Sequence, residues 1–251
     1  MKVLISPESV EEALSIIDCK MDILDVKNTK EGSLGAQFPW NTKRVVEHTA
    51  PRGIKTSATL GDLPFKPGTA ALAAFGVATC GVTYVKAGLY GCKTRDEAFQ
   101  MMDAVRKAVR MVSDTADVVA AGYADWRRFG GLSAEDLVLA SADAKCDLVM
   151  VDTAIKDGKT LFDNMSVQEL KDFCALARKH GMGVALAGSL KFEHLDMLFD
   201  INPDLIGVRG VVCEGKDRTS RISVEKTNRF VDLVNSMTAQ RGAALPAAAG
   251  N

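Results

Sequence analysis

The feature that most constrains the fold is an alternation of short apolar segments with longer helix-like segments along almost the whole chain. The short segments lack strict polar and apolar alternation, which is typical of parallel strands that helices cover. Eight of them are candidate strands: residues 2–6, 21–27, 54–60, 84–89, 118–124, 148–153, 183–189 and 205–210. A chain built in this way consists of consecutive strand–helix–strand units.

Two independent signals mark the helices. The segment 94–112 carries apolar residues at the i, i+3, i+4 and i+7 spacing of a buried helix face: Ala98, Met101, Met102, Val105, Ala108, Val109 and Val112. A hydroxyl residue followed three positions later by a glutamate predicts a capping box at a helix start. Such pairs are Ser9 with Glu12, Thr94 with Glu97 and Ser166 with Glu169.

Repeated strand–helix units in a chain of 251 residues predict an α/β protein, a single-domain (β/α)8 TIM barrel over residues 1–238. The competing architecture is a doubly wound open sheet, but no G-x-G-x-x-G motif follows the first strand. Residues 239–251 lose the periodicity and are rich in Ala and Gly. We therefore expect a disordered C-terminal tail there.

The amino-acid composition limits the kinds of partner that the protein can bind. The chain has 31 Lys and Arg residues against 32 Asp and Glu residues, a formal net charge of −1, which argues against nucleic acid or a membrane surface as partner. No apolar run approaches the roughly 18 residues of a membrane helix, so we expect a cytoplasmic protein. The six cysteines are scattered without a C-x-x-C pair, and there are three histidines. The sequence thus predicts no metal site and buried thiols.

Charged residues end two of the predicted strands. Period-2 alternation places Asp25 and Lys27 on one face of the second strand, and Lys86 lies on the fourth strand. In a (β/α)8 barrel the carboxyl ends of the strands form the active-site face. We expect these residues to converge at that mouth, where Asp152 ends the sixth strand and Lys156 follows in its loop.

Several lysines in a partly desolvated cavity repel one another. Together with burial, this lowers the pKa of at least one, so that a neutral amine exists near pH 7. A neutral amine attacks carbonyl groups, and a second lysine or an aspartate then moves protons. The pattern favours Schiff-base catalysis, with ordinary ion pairs at the barrel rim as the alternative.

The seventh and eighth strands end in residues suited to an anion. Gly188 and Gly210 let backbone amides approach a phosphate, Ser189 is a donor, and Arg209 adds positive charge. Loops after these two strands often bind phosphate in this fold. The alternative is that the glycines only form tight turns. A phosphorylated carbonyl compound is the substrate class that fits both groups of residues.

Other residues are less informative. Trp40 and Trp126 are predicted to be packing anchors, and Asp125 is predicted to lie in a solvated loop. The glycine-containing segment after Lys27 is long enough to cover the mouth, although a rigid connector is equally compatible with it.

Several segments have a distinctive wording: DVKNTKEGSLGA from Asp25, SATLGDLPFKPGT from Ser57, YVKAGLYG from Tyr84, AAGYAD from Ala120, VDTAIKDGKTLFD from Val151, ALAGSL from Ala185 and GVRG from Gly207. Together they resemble one known family, the (5-formylfuran-3-yl)methyl phosphate synthases of methanofuran biosynthesis. The resemblance extends from Met1 to about residue 235. It departs from the family at Thr29, where a proline is expected.

The resemblance implies a barrel lyase that joins two glyceraldehyde 3-phosphate molecules into a furan aldehyde phosphate, releasing phosphate and water, without a cofactor. It implies that Lys27 is the Schiff-base lysine and that Lys86 is the proton acceptor. Asp25, Asp152 and Lys156 would support them. The alternatives are a class I aldolase or a triose-phosphate isomerase on the same barrel, or a non-catalytic protein that binds a phosphometabolite. Assembly into a homo-oligomer is an open expectation.

Overall fold

Eight parallel strands close into a barrel in the computed structural model, which describes residues 1–215 and 219–244. The strands are β1 (Lys2–Ile5), β2 (Ile23–Val26), β3 (Lys55–Asp62), β4 (Tyr84–Gly88), β5 (Asp117–Tyr123), β6 (Leu148–Asp152), β7 (Gly183–Leu186) and β8 (Leu205–Val208). Each strand pairs with its sequence neighbours, and β1 pairs with β8. The predicted (β/α)8 barrel is confirmed, and the open sheet is excluded because each of these eight strands pairs with two neighbours.

Helices surround the barrel between successive strands. They are α1 (Val10–Ser15), α2 (Pro39–Thr49), α3 (Pro67–Ala78), α4 (Arg95–Arg110), α5 (Ala134–Asp143), α6 (Leu161–Asn164), α7 (Val167–Lys179), α8 (Leu195–Ile201) and α9 (Val224–Ala244). The buried face of α4 consists of six of the seven residues that the periodicity predicts, Ala98, Met101, Met102, Val105, Ala108 and Val109, whereas Val112 follows the helix and is exposed.

Two of the three predicted capping boxes are confirmed. They lie at Thr94–Glu97, before α4, and at Ser166–Glu169, before α7. At the third, Ser9 with Glu12, only one of the two hydrogen bonds of a capping box is present. Ser9 Oγ accepts a hydrogen bond from the Glu12 amide at 3.1 Å, but the Glu12 carboxylate does not return one to Ser9. It is buried, accepts a hydrogen bond from the Glu8 amide at 2.7 Å, and forms a charge-assisted hydrogen bond with Arg209.

The apolar interior has two layers. The larger lies between the strands and the surrounding helices. The smaller fills the barrel itself and includes Leu4, Ile23, Tyr84, Met150 and Leu205. This inner packing closes the lower part of the barrel and leaves its polar residues at the carboxyl ends of the strands.

The last helix continues beyond the predicted domain end. Residues 239–244 belong to α9, and Arg241 anchors this part by a hydrogen bond from Nη1 to the Phe199 carbonyl oxygen at 2.6 Å. Residues 245–251 of the predicted tail lie outside the described residues. Within the described ranges, no helix is both long and apolar enough to cross a membrane.

Candidate active site

The carboxyl ends of β2 and β4 bring a buried ion pair into the barrel mouth. Lys86 Nζ lies 2.8 Å from Asp25 Oδ1 and 2.9 Å from Asp25 Oδ2, and both residues are about 1% exposed. The Ser6 hydroxyl donates to Asp25 Oδ2 at 3.0 Å from the end of β1. Burial raises the pKa of Asp25, but the positive charges of Lys86 and Lys27 outweigh it and hold that pKa below its usual value.

Lys27 follows β2 directly and is 7% exposed. Burial lowers its pKa, the carboxylates of Asp152 and Asp25 partly oppose this, and the result is about 8. Within residues 1–215 and 219–244, its Nζ has neither a hydrogen bond nor a salt bridge, although four charged groups surround it. Among the described residues, Lys27 is therefore the amine of the mouth that lacks a direct partner and whose pKa is lowered toward physiological pH, so that a fraction of it is neutral there.

Asp152 and Lys156, from β6 and the loop after it, form a second ion pair near Lys27. Lys156 Nζ bonds Asp152 Oδ1 at 2.8 Å and Thr153 Oγ1 at 3.0 Å, and the Thr153 amide also donates to Asp152 Oδ1 at 2.7 Å. Burial raises the pKa of Asp152, but the charges of Lys156 and Lys27 and these hydrogen bonds outweigh it, so that the pKa is about 2. Asp152 thus stays ionised beside Lys27. The structure brings together all five residues that the sequence predicts for catalysis.

Asp125 contradicts its prediction as part of a solvated loop. It is 1% exposed, and its two carboxylate oxygens accept hydrogen bonds from the amides of Ala154 and Ile155, each at 2.8 Å. These bonds fix the backbone that carries Lys156. Sequence reasoning could have found Asp125, because it stands just after β5, where a (β/α)8 barrel places functional residues.

The segment 28–38 crosses the mouth. Ser33 Oγ donates to the Thr153 carbonyl oxygen at 2.8 Å, the Leu34 amide donates to Asp62 Oδ2 at 3.0 Å, and the Thr59 hydroxyl donates to the Leu34 carbonyl oxygen at 2.5 Å. Leu34 is fully buried and packs with the barrel interior. The segment is therefore a cover over the site. Trp40, just beyond it, is 67% exposed and stacks on Phe38, so its prediction as a packing anchor is wrong.

The residues predicted to bind phosphate fall into two groups. Gly188 and Ser189 follow β7 with φ of +113° and +49°, and Gly210 is partly buried after β8. A side chain at Gly188 would bring its Cβ within 3.0 Å of Thr153 Cγ2, so close packing requires the glycine. Ser189 is exposed in the left-handed region, a strained conformation for a residue with a side chain.

Arg209 differs from these three residues. It is 6% exposed, its Nη1 lies 2.6 Å from Glu12 Oε2 and 3.0 Å from the Ser6 carbonyl oxygen, and its Nη2 lies 3.2 Å from Glu8 Oε2. Two glutamates therefore neutralise it. The local excess of positive charge at the mouth comes from Lys27, Lys86 and Lys156, which face Asp25 and Asp152.

The fold and the site together define a (β/α)8-barrel enzyme with lysines and aspartates clustered at the carboxyl ends of its strands. The sequence model of one family, described as 4-HFC-P synthase, matches residues 3–231. This chain belongs to the 4-HFC-P synthase family.

Relatives and solved structures agree with this assignment. The (5-formylfuran-3-yl)methyl phosphate synthase of Archaeoglobus fulgidus is 49% identical over 235 residues, covering 94% of this chain and 100% of the relative. That of Methanothermobacter thermautotrophicus is 50% identical over 237 residues, with the same coverage. The structure of deoxyribose phosphate aldolase from Aeropyrum pernix superposes with a TM-score of 0.61 at 16% identity, covering 92% of this chain and 89% of that one. At such low identity this likeness shows the fold alone.

Proposed function

We propose that this protein makes (5-formylfuran-3-yl)methyl phosphate from two molecules of glyceraldehyde 3-phosphate, through a Schiff base on Lys27, in methanofuran-type cofactor biosynthesis. The observation that carries the proposal is the Lys27 amine, buried at the mouth, without a direct partner among the described residues and with a pKa of about 8. The names of its close relatives support the product. The residues of the mouth support the chemistry.

The reaction begins when the neutral Lys27 amine attacks the carbonyl carbon of one triose phosphate. Loss of water gives an iminium ion, which withdraws electrons from the adjacent carbon. The Lys86–Asp25 pair removes a proton from that carbon: the Lys86 amine takes the proton as its own passes to Asp25. The resulting enamine forms the new carbon–carbon bond with the aldehyde of the second triose phosphate.

Ring formation then requires eliminations. Atom balance for the product demands the loss of one phosphate and two waters, and hydrolysis of the Schiff base returns the water lost when it formed. The ammonium groups of Lys86 and Lys156 supply protons to departing oxygens, while Asp25 and Asp152 hold those groups in place. The iminium is the electron sink, so the chemistry requires neither a metal nor an organic cofactor.

One phosphate remains on the product. We assign it to Gly188, Ser189 and Gly210, at the carboxyl ends of β7 and β8. Arg209 belongs to this subsite in a supporting role, because its guanidinium is bonded to Glu12 and Glu8 beneath the loop. The six unpaired cysteine thiols are compatible with the reducing cytoplasm, where we place the reaction.

The test is to incubate the protein with glyceraldehyde 3-phosphate and follow the ultraviolet absorption of a conjugated furan aldehyde together with released phosphate. Borohydride added during turnover, followed by peptide mapping, should find the reduced adduct on Lys27. Lys30, exposed three residues further along, is the internal control and should remain unmodified.

Other outcomes would replace the proposal. Formation of dihydroxyacetone phosphate alone would indicate an isomerase, and formation of a hexose bisphosphate would indicate an aldolase. Binding of the triose phosphate without conversion or adduct would indicate a phosphometabolite-binding protein.

A further inference from the structure

A second acid–base group lies at the mouth and takes no part in the lysine chemistry described above. The Tyr123 hydroxyl, at the end of β5, donates a short hydrogen bond to Asp62 Oδ1, at the end of β3. We propose that Tyr123 is a further catalytic residue, a proton carrier in the dehydrations that form the furan ring, with Asp62 as its proton partner. The inference rests on the proposed function and adds a residue to it.

The backbone is built to permit this contact. Tyr123 reaches across β4 to β3, and its hydroxyl passes over Gly88. A Cβ on Gly88 would lie 2.6 Å from the Tyr123 hydroxyl and 2.8 Å from the Gly61 carbonyl oxygen, so any other residue would push the hydroxyl away. Gly88 is two positions beyond Lys86 on the same strand, and the two residues therefore share the inner face of the barrel.

Tyr123 also shares the surroundings of the Schiff-base lysine. It pairs in register with Asp152 on β6, and the charge of Asp152 acts on both Tyr123 and Lys27. Tyr123 is 4% exposed, and its ring packs in the barrel interior against the cover residue Leu34 and other apolar residues. The phenol thus lies at the carboxyl end of β5, shielded from bulk water and next to Asp152, whose charge also acts on Lys27.

Asp62 is tied to the cover as well as to the tyrosine. Its Oδ2 accepts the Leu34 amide at 3.0 Å, which leaves Oδ1 for Tyr123. A Cβ on Gly32, whose φ is +137°, would lie 2.1 Å from Asp62 Oδ2. The cover therefore has glycine where the carboxylate approaches it, and the Leu34 amide holds Asp62 in the orientation that meets Tyr123.

The electrostatics favour a relay. Burial, together with the negative charge of Asp62, raises the pKa of Tyr123 well above its ordinary value, so the phenol does not ionise alone. When its oxygen takes a proton from a ring carbon or hydroxyl of the substrate, its own proton passes to Asp62. In the return step Asp62 gives that proton back to Tyr123 as Tyr123 protonates a departing hydroxide. The C–O bond breaks, water leaves, and both residues regain their starting states.

The test compares Tyr123→Phe with Tyr90→Phe. Tyr90 is a suitable control, because it packs edge-on against Tyr123 but is 41% exposed and lies outside the proposed relay. Wild type and both variants are assayed for furan formation and for the borohydride-trapped adduct on Lys27, and their melting temperatures are measured. Asp62→Asn, which keeps the shape but removes the proton acceptor, is the second variant.

We expect Tyr123→Phe and Asp62→Asn to lower kcat for furan formation by about 100-fold or more, the usual scale for an acid–base group. The Lys27 adduct should still form and should accumulate, whereas Tyr90→Phe should stay within about twofold of wild type. A Tyr123→Phe variant with wild-type furan formation would overturn the proposal. So would a variant in which adduct and furan fall together, since that marks a structural role. A wild-type protein that forms no adduct would instead refute the proposed function, and this inference with it.

Discussion

The barrel contains two buried clusters of charge that differ in one respect. The mouth cluster consists of Asp25, Lys27, Lys86 and Asp152, and its Lys27 amine has no direct partner among the described residues. The Arg209 cluster consists of Arg209, Glu12 and Glu8, and in it the guanidinium bonds both carboxylates and the backbone carbonyl oxygens of Ser6 and Ser220. Both lie near the carboxyl ends of the strands, and their members are buried except for Glu8, whose side chain is 33% exposed.

This difference in bonding gives the two clusters different roles, one in the proposed reaction and one in stability. A buried charge that is fully bonded stays charged and joins the elements around it, whereas a buried amine without a direct partner moves toward neutrality and becomes a nucleophile. The Arg209 cluster connects the ends of β1 and β8 with the loop that leads to α9, since Glu12 also accepts the Ile222 amide at 2.8 Å. The mouth cluster instead keeps one amine available for reaction.

The largest expected effect comes from removing the reactive amine. Lys27→Arg keeps the positive charge but cannot supply a neutral nucleophile, since arginine does not deprotonate in proteins. We expect the rate of furan formation to fall by about 10⁴-fold or more and the borohydride adduct to disappear. Steady-state kinetics with peptide mapping checks this, and full turnover by Lys27→Arg would disprove the role of Lys27.

Removing the cation of the Arg209 cluster should mainly lower the free energy of unfolding. Arg209→Met leaves the buried Glu12 carboxylate without its cation, and we expect a loss of about 3–5 kcal/mol in the free energy of unfolding. The double variant Arg209→Met, Glu12→Gln should be less destabilised, because no buried charge is stranded. Urea denaturation measures both, and a single variant within about 1 kcal/mol of wild type would contradict the comparison.

The rate of Schiff-base formation should depend on pH through Lys27. Its pKa is lowered from 10.5 to about 8, so the neutral fraction rises as pH increases toward 8 and levels off above it. Below the break, the initial trapping rate should increase about tenfold per pH unit. Because Lys156 lowers the pKa of Lys27 and shields Asp152, Lys156→Met should move the break to higher pH. Lys159→Met, an exposed change in the same loop, should leave it in place.

The smallest effect is expected at an exposed ion pair. Arg95 Nη2 and Asp143 Oδ2 are 2.7 Å apart, but their side chains are 48% and 50% exposed. Arg95→Ala should change the free energy of unfolding by about 1 kcal/mol or less, because water and salt screen the pair. A loss comparable to that of Arg209→Met would show that burial is not what distinguishes the clusters.

Local patterns predicted much of this molecule. The strand repeats and the face shared by Asp25 and Lys27 depend on spacing along one segment, which the sequence displays directly. The partners of Arg209 were not predictable in this way, because Glu12 is 197 positions away and its spacing from Ser9 indicates a capping box. Tyr123 on β5 and Asp62 on β3 are 61 positions apart, and they meet because Gly88, on β4 between them, has no side chain to block the tyrosine hydroxyl.

By itself, the sequence determined the number and order of the strands and the placing of lysines and aspartates at their carboxyl ends. Tertiary structure decided which of those charges are neutralised. A pKa depends on burial and on every charge within a few ångströms, and these are set by closure of the barrel and by the cover. Lys86 is paired with Asp25 and Arg209 with two glutamates, but Lys27 is buried among charges of both signs and has no direct bond within the part of the chain that the structure describes.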